Sequence, residues 1–453
     1  MDTFSTVSEL SPTYSAMPFD PILAEVKGHV ILPGNTIGPQ ASAISFNSPY
    51  PTIELSADVV TQFNEGRLIK QESNQNLFSH NSTSYRATTF PPNPVEIFVK
   101  KTPYAEDELN GAKRASKFFP RITVPSLARS GELLYPYFPG TTQTDSRLSY
   151  IINGRNDTNL ISSILHVELV MVQETLRAYR HSLSLAADTS GTRQNIQRFF
   201  HDRLVDDRRM RDFYGKGMTL AGEAFSLDEL LSLRWVVNNQ EYPSLREAFD
   251  QAKVIIAPGS KPMISCPTVF GMGDCHGANL MYREISSKGH ARDVRLIDYE
   301  VAGVHPVMID LAKPIYNTVF LETIDQLLMP GHVNQDLKYR VIREANTIII
   351  SFSPRVDSLT QAILDIKLRY LLKPLRDEIQ ELGASLEDHI PLLSAALFLC
   401  ATLGRNFCSS EQAFLTNFAT GFILGRAQTW LQFALGLEEL GFNSRSVVAM
   451  EYT

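Results

Sequence analysis

Between residues 61 and 135 the apolar positions come in short β-branched or aromatic runs set apart by turn residues: Ser84–Thr88, Val95–Lys101 and Glu132–Tyr135. Runs of that length and make-up predict a small antiparallel sheet. Between the last two, Leu109, Ala112 and Phe119 fall near one helical face of Tyr104–Phe119, and Pro120 and Pro125 close the segment. Beyond Gly140 the period lengthens. Leu160, Ile164, Val167, Val170 and Met171 mark a helix over Leu160–Leu183, and helical patterning fills the chain from Met308 onward, including Asp357–Leu382 and Ala413–Leu440. Asn195–Phe213 carries Asp202, Arg203, Asp206, Asp207, Arg208 and Arg209, a mixed-sign set that predicts a solvated helix face. One β-rich island interrupts the helices at Thr268–Gly271, Asn279–Ile285 and Asp293–Tyr299. Residues 1–58 hold no periodic run and predict a loosely structured extension. The pattern therefore divides the chain into an N-terminal extension (1–58), a small β-rich lobe (59–139) and a large, mainly helical lobe (140–453) with one hairpin inside it: an α+β, two-lobed architecture.

Composition narrows the partners. The 453 residues carry a formal net charge of −7 and no long Lys/Arg run, which argues against nucleic acid or an anionic membrane as partner. The most apolar stretch, Ile390 to Gly404, is about 15 residues, short of the roughly 20 that span a bilayer, and predicts a buried helix. Met-Asp-Thr-Phe-Ser lacks the basic start and apolar core of a signal peptide. Cys266, Cys275, Cys400 and Cys408 follow no metal-ligand spacing, and reduced thiols in a cytoplasmic protein are the expectation.

The chemistry concentrates in the island, which reads "GMGDCHGANLMY" from Gly271 and "RLIDYE" from Arg295. Asp274 and Asn279 lie five apart with Gly277 between them. A strand follows, a "SSKGHARD" turn, and a second strand that ends at Asp298. Antiparallel pairing brings Asp274, Asn279 and Asp298 to one edge. Two carboxylates and an amide oxygen make a hard, oxygen-rich site suited to Mg²⁺, with a neighbouring group left to accept a proton: the division of labour of phosphoryl transfer.

This segment resembles the "HGDxHxxN…IDxE" signature of the aminoglycoside phosphotransferase and choline kinase-like family, and "HPVMIDLAK" (His305–Lys313) is similar to that family's "DPxxDLA" segment. The resemblance covers roughly Ser84 to Lys313. It implies a protein-kinase-like fold with the site at the lobe junction, and transfer of phosphate from ATP, with Mg²⁺, to an alcohol group of a small molecule. Residue by residue it implies Asp274 as base, Asn279 and Asp298 as metal ligands, His276 as a loop-shaping imidazole, Glu300 as an acid near the acceptor or a metal-bound water, and Asp310 as a structural carboxylate. In the small lobe it implies a strand-borne lysine on the nucleotide phosphates, Lys100 ahead of Lys101, with a helix acid as partner, Glu108 ahead of Glu106. "SHNSTSYRA" (Ser79–Ala87) stands where that family has its phosphate loop, without GxGxxG. "LLYPYFPGTT" (Leu133–Thr142) resembles the hinge, with backbone groups near Tyr135 and Tyr137 for adenine.

Met272 stands where the family has histidine, and this with the missing Gly-rich loop keeps a second reading open, a pseudokinase-like nucleotide-binding module. A metal hydrolase built on Asp274, His276 and Asp298 is a third, but no second His/Asp cluster completes a two-metal site. Asp145, Glu168, Glu174 and Glu322 are candidates to bind an amine-bearing acceptor such as an aminoglycoside, choline or another amino alcohol.

Overall fold

The computed structural model describes residues 55–74, 83–92, 94–186, 195–284, 292–320, 338–354 and 356–443. The extension expected over 1–58 lies almost wholly outside them, as do Ser79–Asn81 of the expected phosphate loop, most of the "SSKGHARD" turn, and Glu322.

Five strands, β1 (Leu68–Asn74), β2 (Thr83–Thr89), β3 (Glu96–Lys101), β4 (Leu127–Arg129) and β5 (Glu132–Pro136), form an antiparallel sheet in the order β1-β2-β3-β5-β4. The side-chain period of two decides what β3 presents. Ile97 and Val99 point into an apolar cluster with Ala87, Leu134, Val59 and Phe63, which turns Phe98 and Lys100 to the opposite face. A helix follows at Ala105–Phe118, with Glu106, Asp107 and Glu108 in its first turn, where the helix dipole favours acids. Its Ala105, Ala112 and Ala115 join Leu133 and Tyr135 of the sheet and Val167, Met171, Phe270, Leu280 and Tyr299 of the helical lobe in one core cluster. That shared core sets the two lobes in register.

In the large lobe, Thr158–Ser182 is N-capped by Asp157, whose carboxylate accepts from Leu160 N at 3.0 Å. Ile390–Leu403 is buried almost all round, packed by Glu411–Gly425 and Val307–Val319. Among the described residues no helix is long and apolar enough to cross a membrane.

Four segments differ from the periodicity reading. Asn195–Phe213 is a broken series of short turns: Asn195–Phe199, His201–Leu204, Val205–Asp207 and Arg208–Tyr214, with Asp206 and Asp207 in left-handed backbone. The region beyond Met308 also contains a hairpin, Lys338–Glu344 with Thr347–Ser353. The latter strand pairs in parallel with Arg234–Val237. Ile348, Ile350 and Phe352 alternate inward there, a strand pattern whose partner lies over a hundred residues away. The stretch Asp357–Leu382 runs as Ser358–Lys367, a π turn at Leu368–Leu372 and Lys373–Glu381. The wider turn falls next to Pro374, which has no N–H to donate. Ala413–Leu440 is likewise two helices, Glu411–Gly425 and Trp430–Glu439, the second capped by the Thr429 hydroxyl.

Candidate active site

Strands Leu280–Glu284 and Arg292–Leu296 pair antiparallel with Leu280 opposite Leu296. The register continues one step past the pair: Ile297 N donates to Asn279 O at 3.0 Å, so Asn279 and the next residue, Asp298, share one edge. Asp298 has φ 66°, left-handed backbone that Asp tolerates better than most residues. Upstream, the loop from Gly271 to Asn279 is tied at several points. Gly273 N donates to Asp310 Oδ1 at 2.7 Å, and the Tyr179 hydroxyl donates to Asp310 Oδ2. Asn279 Nδ2 donates to Asp274 O at 3.0 Å, while His276 Nδ1 accepts from Ala278 N at 3.2 Å. A Cβ at Gly271 would fall 2.1 Å from Asp310 Oδ2, so the close approach needs glycine. Met272 sits where an imidazole was expected and is buried in the shared core with Phe270 and Leu280.

In the small lobe, Lys100 Nζ lies 2.8 Å from Glu108 Oε2 and 3.2 Å from Asp298 Oδ1. The Tyr135 hydroxyl donates to the other Glu108 oxygen. Lys101, on the opposite strand face, pairs with Glu132 at 3.2 Å, largely exposed. Burial alone would lower the Lys100 pKa. The Asp298 and Glu108 carboxylates outweigh it and hold the ammonium well above the ordinary lysine range. Glu108 is fully buried, and burial followed by the Asp298 charge pushes its carboxyl up against the pull of Lys100. Glu300, two residues beyond Asp298, pairs with Arg198 at 3.0 Å, and burial followed by Asp298 raises it to about 7.

Asp274 sits in a second ion pair that sequence reading missed. Lys313 Nζ reaches Asp274 Oδ1 at 2.5 Å from the helix Val307–Val319, and His276 Nε2 stands 3.4 Å from the same oxygen. Burial would raise the Asp274 pKa, but Lys313, then His276 and Arg203, keep its carboxyl below the usual range. Lys313 also lies over the Phe199 ring, 3.4 Å from its centroid. One signal pointed to it: the single lysine of a mostly apolar helix, one turn after Asp310.

The Lys100–Glu108 pair, Asp298, Glu300 and the Asp274–Lys313 pair open on one cavity of about 690 Å³ between the lobes. Its lining includes Lys100, Glu108, Tyr135, Tyr137, Asp274, His276, Asn279, Asp298 and Glu300, the residues expected for nucleotide, metal and base, while Asp310 supports the loop from behind. Two details change. Tyr137 N already donates to Glu96 O at 3.1 Å, so that amide is engaged in the chain and not free for a base edge. The Tyr135 side chain serves the Lys100–Glu108 pair.

The acidic residues proposed for an amine are, in the main, engaged elsewhere. Glu168 pairs with Lys367 at 2.5 Å and accepts from Gln143 Nε2 at 2.9 Å. Glu174 pairs with Arg121 and Arg177. Asp145 does line the cavity, but its carboxylate accepts from the Thr142 hydroxyl at 2.7 Å. Conversely, Arg203 and Arg209 do not lie on a merely solvated face; both line the cavity, as do Arg405 and Asn317. Nothing in the local pattern marked them, because the broken turns of 195–214 put them on no common helical face.

The residues fit a magnesium ion by the chemistry of their donors. Asn279 commits its Nδ2 to the loop, which leaves its amide oxygen available, and Asp298 commits Oδ1 to Lys100, which leaves Oδ2. The crowding of Glu108, Asp298 and Glu300 that raises two of these acids is the kind a divalent cation offsets. Among the described residues no group of three or more His, Cys, Asp or Glu is arranged to hold a metal ion.

A small antiparallel sheet carrying a lysine–glutamate pair, joined to a large helical lobe carrying the Asp274–Asn279 loop and Asp298, is a two-lobed kinase-like fold. Residues 164–328 match the model of the ecdysteroid kinase-like family. No curated protein sequence matches the chain significantly. Solved structures that are similar to it include an aminoglycoside phosphotransferase in complex with AMP-PNP and hygromycin B, at 11% identity and TM-score 0.38 over 82% of this chain and 98% of that one. A glucosamine kinase with glucosamine, ADP and inorganic phosphate aligns at 11% identity and TM-score 0.39 over 81% of this chain and 82% of that one. An ethanolamine kinase from Plasmodium vivax aligns at 9% identity and TM-score 0.34 over 87% and 82%.

Proposed function

We propose that the protein is a small-molecule kinase that transfers the γ-phosphoryl group of ATP to an alcohol, with 59–139 as the nucleotide-clamping lobe and 140–453 as the lobe of the catalytic loop and acceptor. The observation that carries this reading is the convergence on one cavity of the Lys100–Glu108 pair, Asn279, Asp298 and Asp274. Lys100, held charged by two carboxylates, binds the α- and β-phosphates, and Glu108 and Tyr135 fix its position. Asn279 and Asp298 would hold Mg²⁺, which supplies charge neutralisation at the phosphates when bound. Asp274 accepts a hydrogen bond from the acceptor hydroxyl and orients its oxygen toward the γ-phosphorus. As that O–P bond forms and the bond to the β–γ bridging oxygen breaks, the electron pair leaves on ADP and the hydroxyl proton passes to Asp274. The low pKa of Asp274 suits late proton capture, and Lys313 holds its carboxylate in place.

Met272 favours no binding-only alternative, since it fills an apolar site and the positions for base and metal are all occupied by competent side chains. The test is ADP release with ATP and Mg²⁺ over an alcohol library, with γ-labelled ATP and a metabolite extract to reveal the acceptor. Asp298→Ala and Asp274→Asn are each expected to lower acceptor-dependent transfer by about 10²–10⁴-fold. Phosphorylation at the wild-type rate in Asp298→Ala overturns the assignment.

A further inference from the structure

The cavity differs in charge from one part to the next. Around Lys100 it is rich in carboxylates, Glu108, Asp298 and Glu300; toward Asp274 its lining is basic, with Lys313 on the carboxylate, Arg203 and Arg405 near enough to act on its charge, and Arg209 next to Arg203. Lys313 is matched by Asp274. Among the described residues none of the three arginines forms a close ion pair with a carboxylate; Asp274 acts on Arg203 and Arg405, and Asp212 on Arg209, only from farther away. Arg203 spends one N–H on Leu403 O at 3.0 Å and lies over the Phe199 ring at 5.1 Å. Arg209 rests on Phe213 at 4.3 Å. The buried Nε atoms of Arg209 and Arg405 have no hydrogen-bond partner.

Guanidinium groups that are half-buried and lack a close carboxylate partner are costly to keep. Burial, and for Arg203 the neighbouring Arg209, depresses their pKa, that of Arg203 to about 10. A bound oxyanion relieves that cost, and the planar fork of each guanidinium matches carboxylate or phosphate oxygens two at a time. The nucleotide phosphates do not account for the need under the reading above, since they belong to Lys100, Asn279 and Asp298. The arginines stand instead around Asp274, where the attacking hydroxyl must arrive.

We infer that the acceptor is an alcohol bearing a second, anionic group, a carboxylate, phosphate or sulfate, which Arg203, Arg209 and Arg405 hold while Asp274 receives the hydroxyl. This rests on the phosphotransfer reading of the same cavity and reverses the expectation of an amine-bearing acceptor.

The experiment is calorimetric titration of the full chain, saturated with Mg²⁺ and AMP-PNP, with three matched alcohols: glycerate, glycerol and 3-amino-1,2-propanediol. Glycerate is expected to bind at least tenfold more tightly than the other two. Arg209→Gln and Arg405→Gln are each expected to remove most of that preference and to leave AMP-PNP affinity unchanged. Equal or weaker binding of glycerate overturns the inference, as does absence of binding by all three. So does a preference that survives in both variants, or a loss that falls on AMP-PNP instead. The wild-type comparison needs no variant to fold. Failure of the kinase reading looks different: glycerate is preferred, yet no ADP is released with any alcohol.

Discussion

At the scale of single residues, the Asp274–Lys313 pair changes how the base should be tested. Both side chains are largely buried, and removing one partner leaves the other charge without compensation. Asp274→Ala is therefore expected to lower stability by about 3–5 kcal/mol in addition to abolishing transfer. Asp274→Asn keeps a hydrogen-bonding oxygen for Lys313 and should melt closer to wild type. Adding Lys313→Met to Asp274→Ala should recover most of the lost melting temperature without activity. Differential scanning fluorimetry of the four proteins checks this order; identical melting of the Ala and Asn variants would show that the pair contributes little.

At the scale of elements, the helix Ala105–Phe118 links clamp to catalytic hairpin through one face. Glu108 reaches Lys100, and one turn later Gly111 lies against the backbone of Tyr299, where a Cβ would come within 1.9 Å of the carbonyl oxygen. Gly→Ala inside a helix ordinarily stabilises by about 0.5–1 kcal/mol. Here the sign should reverse. Gly111→Ala must push the helix away from Tyr299, taking Glu108 with it, so melting temperature and nucleotide affinity are both expected to fall. A rise in melting temperature with unchanged affinity would refute this contact. The helix was legible in the sequence from Leu109, Ala112 and Phe119, as were β2, β3 and β5 from their β-branched runs. The sheet of Arg234–Val237 with Thr347–Ser353 was not legible, since a parallel pairing between distant segments leaves no mark in local periodicity.

At the scale of the whole molecule, the two lobes share a core through Ala112, Ala115, Phe270 and Tyr299, yet the groups proposed to bind nucleotide lie on both sides of the junction. Ligand that bridges them should stabilise the chain as a unit. ATP with Mg²⁺ at 100 times its Kd is expected to add about 2.7 kcal/mol to folding stability, read as a rise in melting temperature. In Lys100→Met, at the same concentration, the rise should shrink or vanish. The net charge of −7 does not itself attract ATP; Lys100, and beyond Asp274 the arginine group, supply positive potential locally.

The sequence by itself determined the two-lobed layout and the loop and hairpin that bring Asp274, Asn279 and Asp298 to one edge, and it put Lys100 ahead of Lys101 without deciding between them. Each of these depends on short-range rules: strand alternation, hairpin register, and residue types at fixed spacing. Only the tertiary structure decided what surrounds them. Lys313 meets Asp274 from a separate helix, Glu168 is consumed by Lys367, and Arg203, Arg209 and Arg405 gather from segments about two hundred residues apart. The charge of the cavity around Asp274 is a sum over such distant neighbours, and no local pattern carries that sum.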